Sequence, residues 1–490
     1  MARVALISFL RNAINIRSLA SFLASHGQEA ICIFCPGQLT PRRIQETVDL
    51  IRREGISLVG ISTVTDDFRK AAALTGEIKR ELSLPVIWGG AHVNVRPEES
   101  LQYADMICLG EGEEALFDLV ESMNGDGRFR MDIPNIWYRS ETGIVRNDLR
   151  PLENNLNRYP PPDMGFESFF VLTASGFEPV SASHFNGEYS LMTSRGCPYS
   201  CHYCYNSYRR RQYRGKGRYL RMRSVEHVID ELVQAKKRIP NLSRINFWDD
   251  SFVARRLSDF NTFKRLYSEK VDLPFFALIE PMAFDFRKIR ILRECGLEKL
   301  QVGIQTGSER VNRDVYNRPV SNAKVLEMAR LIHDLGIEVV YDIIFNNPYE
   351  TPEDLAETVR LLLGFPRPFS LQGYSLIFYP GTRITEKALK DGYISYNEDL
   401  HRSLTIQGKE NSPISMKGAG KISDRFYNIN YSSDDKSYWN SVVSLFASNH
   451  FPRPLIRFFN TSDGPFNQIT FKAATWSYAM AASIKHRLFQ

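Results

Sequence analysis

The stretch Tyr189-Ser-Leu-Met-Thr-Ser-Arg195-Gly-Cys197-Pro-Tyr-Ser-Cys201-His-Tyr-Cys204-Tyr-Asn206 decides how this 490-residue chain is read. Its opening, Tyr189–Thr193, has the short apolar character of a strand. The loop that leaves this strand carries three cysteines separated by three and then two residues. Three thiolates so spaced can wrap one face of a cubane iron–sulfur cluster from a single loop. Such clusters ordinarily take four cysteines, so a loop with three leaves one iron open to another ligand. A structural zinc ion would want a fourth protein ligand, and His202 is expected to point away from its neighbours.

Downstream of the loop a βα rhythm can be counted. Strands are expected at Tyr189–Thr193, Arg244–Trp248, Pro274–Ile279, Lys299–Ile304, Glu338–Phe345 and Gln372–Ile377, with helices between them. Ser224 reads as an N-cap, with Val225, Val228, Ile229 and Leu232 on one helical face. Thr351-Pro352-Glu353-Asp354 opens another helix, with proline at the first position and acids in the first turn. Six units suggest an open, partial (β/α)6 barrel whose active site lies at the carboxyl ends of its strands. The cysteine loop follows the first of them.

Upstream, residues 1–125 show the same alternation. Strands at Val4–Ser8, Ala30–Phe34, Leu58–Ser62, Pro85–Trp88 and Met106–Leu109 alternate with amphipathic helices, which predicts a doubly wound, Rossmann-like α/β sheet. Ligands bind such sheets at the carboxyl ends of the strands. Those ends carry Ser62, Gly89-Gly90-Ala-His92 and Gly110-Glu111-Gly-Glu113. Between the two α/β regions, residues 126–186 are broken by Pro134, Pro151 and Pro160-Pro161-Pro162 and read as a linker. The barrel is expected to span 187–395. Residues 396–490 are aromatic-rich and are expected to form a small, mostly helical cap that could shape a substrate pocket.

Composition excludes several classes. Apolar content of 43% and charged content of 24% are ordinary for a globular protein. A net charge of +6 is small for this length and does not favour nucleic acid as a partner. No apolar run approaches the roughly 20 residues that span a bilayer, and a cytoplasmic location is expected. The remaining cysteines, Cys32, Cys35, Cys108 and Cys295, lie in apolar contexts. Residues i and i+3 of a strand face opposite ways, so Cys32 and Cys35 read as buried structural thiols.

The cysteine loop resembles that of the radical S-adenosylmethionine (radical SAM) superfamily, and the resemblance covers about residues 187–385. It implies that Cys197, Cys201 and Cys204 hold a [4Fe–4S] cluster whose open iron takes S-adenosylmethionine, which is then cleaved to a 5′-deoxyadenosyl radical. Phe247-Trp-Asp249-Asp250-Ser-Phe matches the place of acidic residues near the methionine ammonium. In Gly303-Ile-Gln305-Thr-Gly307-Ser a glutamate is more usual at position 305; Gln305 can still bond ribose hydroxyls without adding charge. Pro348-Tyr-Glu350-Thr351 and Pro380-Gly381-Thr382 match further landmarks. With such a barrel behind it, the first domain resembles the cobalamin-binding subgroup, the class B methyltransferases and anaerobic Mg-protoporphyrin monomethyl ester cyclases. That resemblance makes Ser62, Gly89, Gly90, His92, Gly110 and Glu111 expected cobalamin contacts. The cobalt-ligating histidine of many cobalamin domains is missing, since Phe9-Leu-Arg-Asn-Ala-Ile-Asn15 contains none. Residues near Arg11–Asn15 would instead face the lower side of the corrin.

The expected reaction is therefore cobalamin-dependent methylation of an unactivated carbon in a small or lipid-like molecule. A radical cyclase or rearrangement enzyme is the alternative within the same architecture, and a cobalamin or redox sensor the alternative outside enzymes. A flavodoxin- or ferredoxin-type electron donor is the expected protein partner. The basic run Arg209–Arg223, just after the cluster loop, could meet such a partner or an anionic substrate, but is expected to be a solvated surface loop.

Overall fold

Short strands that are apolar on both faces, alternating with amphipathic helices, build a parallel sheet in the computed structural model, which describes residues 2–125, 129–166, 168–397 and 403–406. β1 (Arg3–Ser8), β2 (Glu29–Phe34), β3 (Leu58–Ser62), β4 (Val86–Gly89) and β5 (Met106–Cys108) pair in parallel. Val4, Ala5, Ile7, Leu58, Val59 and Val86 are fully buried, as strands covered on both faces must be. The helix Pro41–Arg53 shows why the alternation holds. Pro41 starts it, the Thr40 hydroxyl accepts from the Arg43 amide, and Arg52 and Arg53 occupy the last turn.

The stretch read as a linker contributes strands to this sheet. β6 (Ile136–Ser140) and β7 (Gly143–Arg146) add antiparallel to β5 at one edge. β8 (Phe170–Leu172) joins β2 in parallel at the other edge and is followed by the antiparallel β9 (Phe177–Pro179). The order is β7-β6-β5-β4-β3-β1-β2-β8-β9. The prolines that suggested a linker lie between these strands, where they break periodicity without removing a ladder hydrogen bond.

β10 (Glu188–Leu191) begins the second sheet and is followed by a two-residue ribbon, β11 (Ser194–Arg195) against β12 (Arg221–Met222). β13 (Arg244–Phe247), β14 (Phe275–Ile279), β15 (Leu297–Gln305), β16 (Glu338–Phe345) and β17 (Ser370–Ser375) complete a six-stranded sheet in sequential order. This is the partial barrel that the βα count predicts. Ser224 and Thr351 cap their helices, the latter with Asp354 in a reciprocal capping box.

The chain divides into two compact units, Met1–Tyr199 with Asn206–Phe275 and Ser200–Tyr205 with Phe276–Gln490. One division between these units falls inside β14. β18 (Ile394–Asn397) and β19 (Ser403–Ile406) form an antiparallel hairpin, so the described part of 396–490 is strand. The rest of the expected helical cap lies outside the described residues. Among the described residues no helix is long and apolar enough to cross a membrane.

Candidate functional site

Of the seven cysteines, Cys32, Cys35, Cys108 and Cys295 are buried, and only Cys197, Cys201 and Cys204 are partly accessible. Burial pushes the Cys35 and Cys108 thiols up to about 12, which makes them inert. Cys32 Sγ donates to the Ile16 carbonyl at 3.4 Å, as expected of a structural thiol.

The loop that carries the other three is shaped by its glycine and its anchors. Gly196 has φ +86°, and a Cβ there would run into the Tyr219 carbonyl. In the second unit, the His202 amide donates to the Tyr316 carbonyl at 3.0 Å. Its ring Nδ1 lies 3.0 Å from the Val315 carbonyl, and its own carbonyl accepts from Ile384. These contacts anchor His202 through its backbone and through ring Nδ1. Asn317 Nδ2 donates to the Ser200 carbonyl at 3.0 Å. Burial raises the Cys201 thiol, while the Arg318 guanidinium and the Tyr203 hydroxyl act to lower it. Among the described residues, no three His, Cys, Asp or Glu side chains converge as ligands of one ion do.

Asp249 is held by the turn that follows β10. It is 1% exposed and accepts from the Thr193 amide at 3.0 and 3.1 Å, from Thr193 Oγ1 at 2.8 Å and from Ser194 Oγ. Three of these bonds fall on Oδ1, so Asp249 braces the turn that leads into the cysteine loop. Asp250 next to it is exposed and takes a hydrogen bond from the Asn206 side chain. Gln305 sits at φ +69°, where the β15–β16 register slips between Gly303 and Gln305. Such a conformation is uncommon for a residue that carries a side chain.

At the carboxyl edge of the first sheet, Asn15 Nδ2 donates to Ser62 Oγ at 2.7 Å, and the pair is exposed. Gly90, at φ +99°, lies so close to Thr63 that a Cβ would stand 2.7 Å from its carbonyl oxygen. Thr63 Oγ1 and Asn12 Oδ1 are buried without a hydrogen-bond partner among the described residues. Leu10, 57% exposed, and Val64 add apolar surface to the same edge. Close backbone approach, unsatisfied polar atoms and apolar surface together suit a large, mixed-polarity ligand such as a corrin with its nucleotide tail. His92 is different: it is buried, its ring lies 4.7 Å from that of Phe68, and burial lowers it to about 4. It is a neutral core residue supporting the turn.

Gly110 and Glu111 are turned toward the cysteine loop's own strand. Tyr213 fills the space over Gly110, and its hydroxyl accepts from the Glu111 amide at 3.1 Å. Glu111 Oε2 accepts from Arg195 at 3.0 Å and from Arg221 at 3.1 Å, while Oε1 pairs with the other Arg221 nitrogen. Glu113 pairs with Arg195 at 2.5 Å. Asn94 Oδ1 accepts from the Gly110 amide at 2.8 Å and from Arg209 at 2.7 Å, and the Asn94 carbonyl accepts from Tyr208. Burial alone would raise the Glu111 carboxyl, but Arg195 and Arg221 hold it below its usual range. The basic run is therefore not a solvated loop. Arg209 and Arg221 bind the ends of the first sheet, and Arg223 pairs with Glu231 at 2.5 Å. Residue 195, two before Cys197, is tied directly to the end of β5.

Residues 191–362 match the profile of the Radical SAM superfamily, and residues 4–120 match the B12 binding domain. The chain is 26% identical over 352 residues to an uncharacterized methyltransferase of Pyrococcus horikoshii, covering 70% of this chain and 72% of that protein. It is 23% identical over 418 residues to the cytidylyl-2-hydroxyethylphosphonate methyltransferase of Streptomyces wedmorensis, covering 75% and 73%. An anaerobic magnesium-protoporphyrin IX monomethyl ester cyclase of Cereibacter sphaeroides is 23% identical over 289 residues, covering 56% of this chain and 44% of the cyclase. Among solved structures, the radical S-adenosylmethionine methyltransferase TsrM of Kitasatospora setae superposes with a TM-score of 0.64 at 17% identity, covering 81% of this chain and 77% of TsrM. The cobalamin-dependent radical enzyme OxsB gives 0.61 at 17% identity, covering 80% and 56%. At these identities the two structures speak for the fold.

Proposed function

The chain belongs to the cobalamin-dependent radical S-adenosylmethionine enzymes, and from that premise we propose that it methylates an unactivated carbon of a small molecule. The observation that carries the proposal is the tie of Arg195 and Arg221 to Glu111, which joins the ligand-bearing edge of the first sheet to the loop holding Cys197. Bound together, a [4Fe–4S] cluster and cobalamin would supply radical generation from S-adenosylmethionine and methyl-group transfer. The chain's own residues hold and orient. Cys197, Cys201 and Cys204 are the cluster ligands, and the exposed Asp250 is left to meet the methionine ammonium. Gln305, fixed at its strand end, offers an uncharged amide to ribose hydroxyls. Asn15, Ser62, Gly89 and Gly90 line the place for cobalamin. Gly110 and Glu111 act indirectly, by setting the strand end that carries them. The electron would come from a flavodoxin- or ferredoxin-type protein.

Anaerobically purified protein, supplied with cobalamin, dithionite and S-adenosylmethionine bearing a deuterated methyl group, tests this. The expected products are 5′-deoxyadenosine and labelled methyl on the cobalamin, both read by mass spectrometry. 5′-Deoxyadenosine with unlabelled cobalamin would favour the cyclase reading, for which the Cereibacter relative speaks. Neither product would remove the enzymatic reading altogether.

A further inference from the structure

On β16, Tyr341 packs its ring 4.5 Å from that of Phe365 and 5.6 Å from that of Phe369, on the helix-covered side of the sheet. Alternation then sends Val340, Asp342 and Ile344 to the opposite face, the interior of the partial barrel. On β15 the buried Leu300, Val302 and Ile304 share the helix side, leaving Gln301, Gly303 and Gln305 half-buried on the inner face. The register places Asp342 between Gly303 and Gln372, so its β15 neighbour is a residue without a side chain.

Asp342 is 8% exposed. Gln301 Nε2 lies 2.9 Å from each of its oxygens and 3.3 Å from the Tyr374 hydroxyl. Arg318 is the one charged group felt at Asp342, and it is spent elsewhere, donating to the carbonyls of Gly303 at 2.5 Å and Ile304 at 3.3 Å. Among the described residues no lysine or arginine forms an ion pair with Asp342. Burial pushes its carboxyl up to about 7, against the opposing pull of Gln301 and Arg318. Bracing two strands does not require a charge, since an asparagine could pair with the Gln301 amide without the cost of desolvating a carboxylate. A buried carboxylate with an amide on one side and no cation on the other is suited to receive one.

We propose that Asp342, oriented by Gln301, anchors a protonated amine of the substrate, whose apolar skeleton lies against the half-buried Val340. This rests on the function proposed above only in taking the barrel interior as the substrate chamber. Gln301 is a positioning residue, and Tyr374 can accept a further hydrogen bond from the same amine.

The test uses the cluster- and cobalamin-loaded protein under anaerobic conditions, with hexylamine, hexanol and hexanoate as probes of one skeleton and three head groups. Calorimetric titration at high pH is expected to show hexylamine binding about tenfold or more tightly than the other two, the scale of a charge-assisted hydrogen bond. Asp342→Asn should abolish that preference without changing hexanol binding, and Asp342→Glu should keep part of it. Hexylamine, protonated throughout as lysine is, should bind the unaltered protein more weakly as pH falls through about 7. A carboxylate that only braces the sheet would not produce that profile. Equal binding of all three probes, or a preference that survives in Asp342→Asn, overturns the proposal. The measurement needs no turnover, so its failure is distinguishable from failure of the methyl-transfer test.

Discussion

Asp249, just beyond β13, and Asp342, within β16, are both buried carboxylates, and their surroundings assign them different tasks. Asp249 Oδ1 accepts from Thr193 and Ser194. Asp249→Ala would strand those donors and loosen the turn into the cysteine loop, at about 2–4 kcal/mol. We expect such protein to retain less iron after anaerobic desalting, measured against its protein concentration. Asp342 carries a carboxyl raised to about 7 in the folded chain, above its unfolded value. The folded state therefore holds a proton that the unfolded state has released, and stability falls as pH rises from about 4 through 7. Asp342→Asn removes that slope. Its melting temperature relative to the unaltered protein should climb between pH 5 and pH 8, by an amount corresponding to on the order of 1–3 kcal/mol. Gly196 and Gly90 complete the residue scale, each at a positive φ where a side chain would strike a backbone carbonyl.

At the scale of elements, the contact that organises the first unit lies between the end of β5 and the ribbon β11–β12. Arg221 is 4% exposed, and Glu111 is its carboxylate partner. Glu111→Gln would leave the buried Arg221 without its anion, while Arg195 keeps Glu113, and breaking such a pair costs about 3–5 kcal/mol when fully buried. With Glu111 and Arg195 partly accessible, we expect about 2–3 kcal/mol in denaturant titration, little affected by salt. The same variant should form labelled methyl on cobalamin more slowly while still producing 5′-deoxyadenosine, because only the former needs both elements in register. Glu111→Asp should recover part of the methyl signal. The sequence displayed both halves of this contact, the acids at 111 and 113 and the cations from 195 to 223. Spacing along the chain does not reveal which charge meets which, so the run resembled a solvated loop.

For the whole molecule, the cobalamin edge and the cluster loop draw on different residues. Ser62, Gly89 and Gly90 close strands of the first sheet, whereas the cysteines follow β10. Replacing Cys197, Cys201 and Cys204 together by alanine should therefore remove the iron and its absorbance near 400 nm while leaving cobalamin bound in about the same proportion. Loss of both groups together would show that the first sheet cannot hold cobalamin without the loop. The strand count was readable because period and turn chemistry are local: the predicted Leu58–Ser62 and Glu338–Phe345 coincide with β3 and β16. The edge strands β6 to β9 were not, because they are short and set between proline-broken segments; only pairing with β5 and β2 makes them strands.

By itself the amino-acid sequence determined the two α/β regions, their order, and the three thiols set apart from four buried ones. Those features depend on periodicity and on residues adjacent in the chain. Only the tertiary structure decided what the charged residues do. It gave Asp249 to a turn, Glu111 to two arginines and Asp342 to the barrel interior. The reason is physical: the free energy of a charge depends on its burial and on partners that, for Glu111 and Arg221, lie 110 residues away.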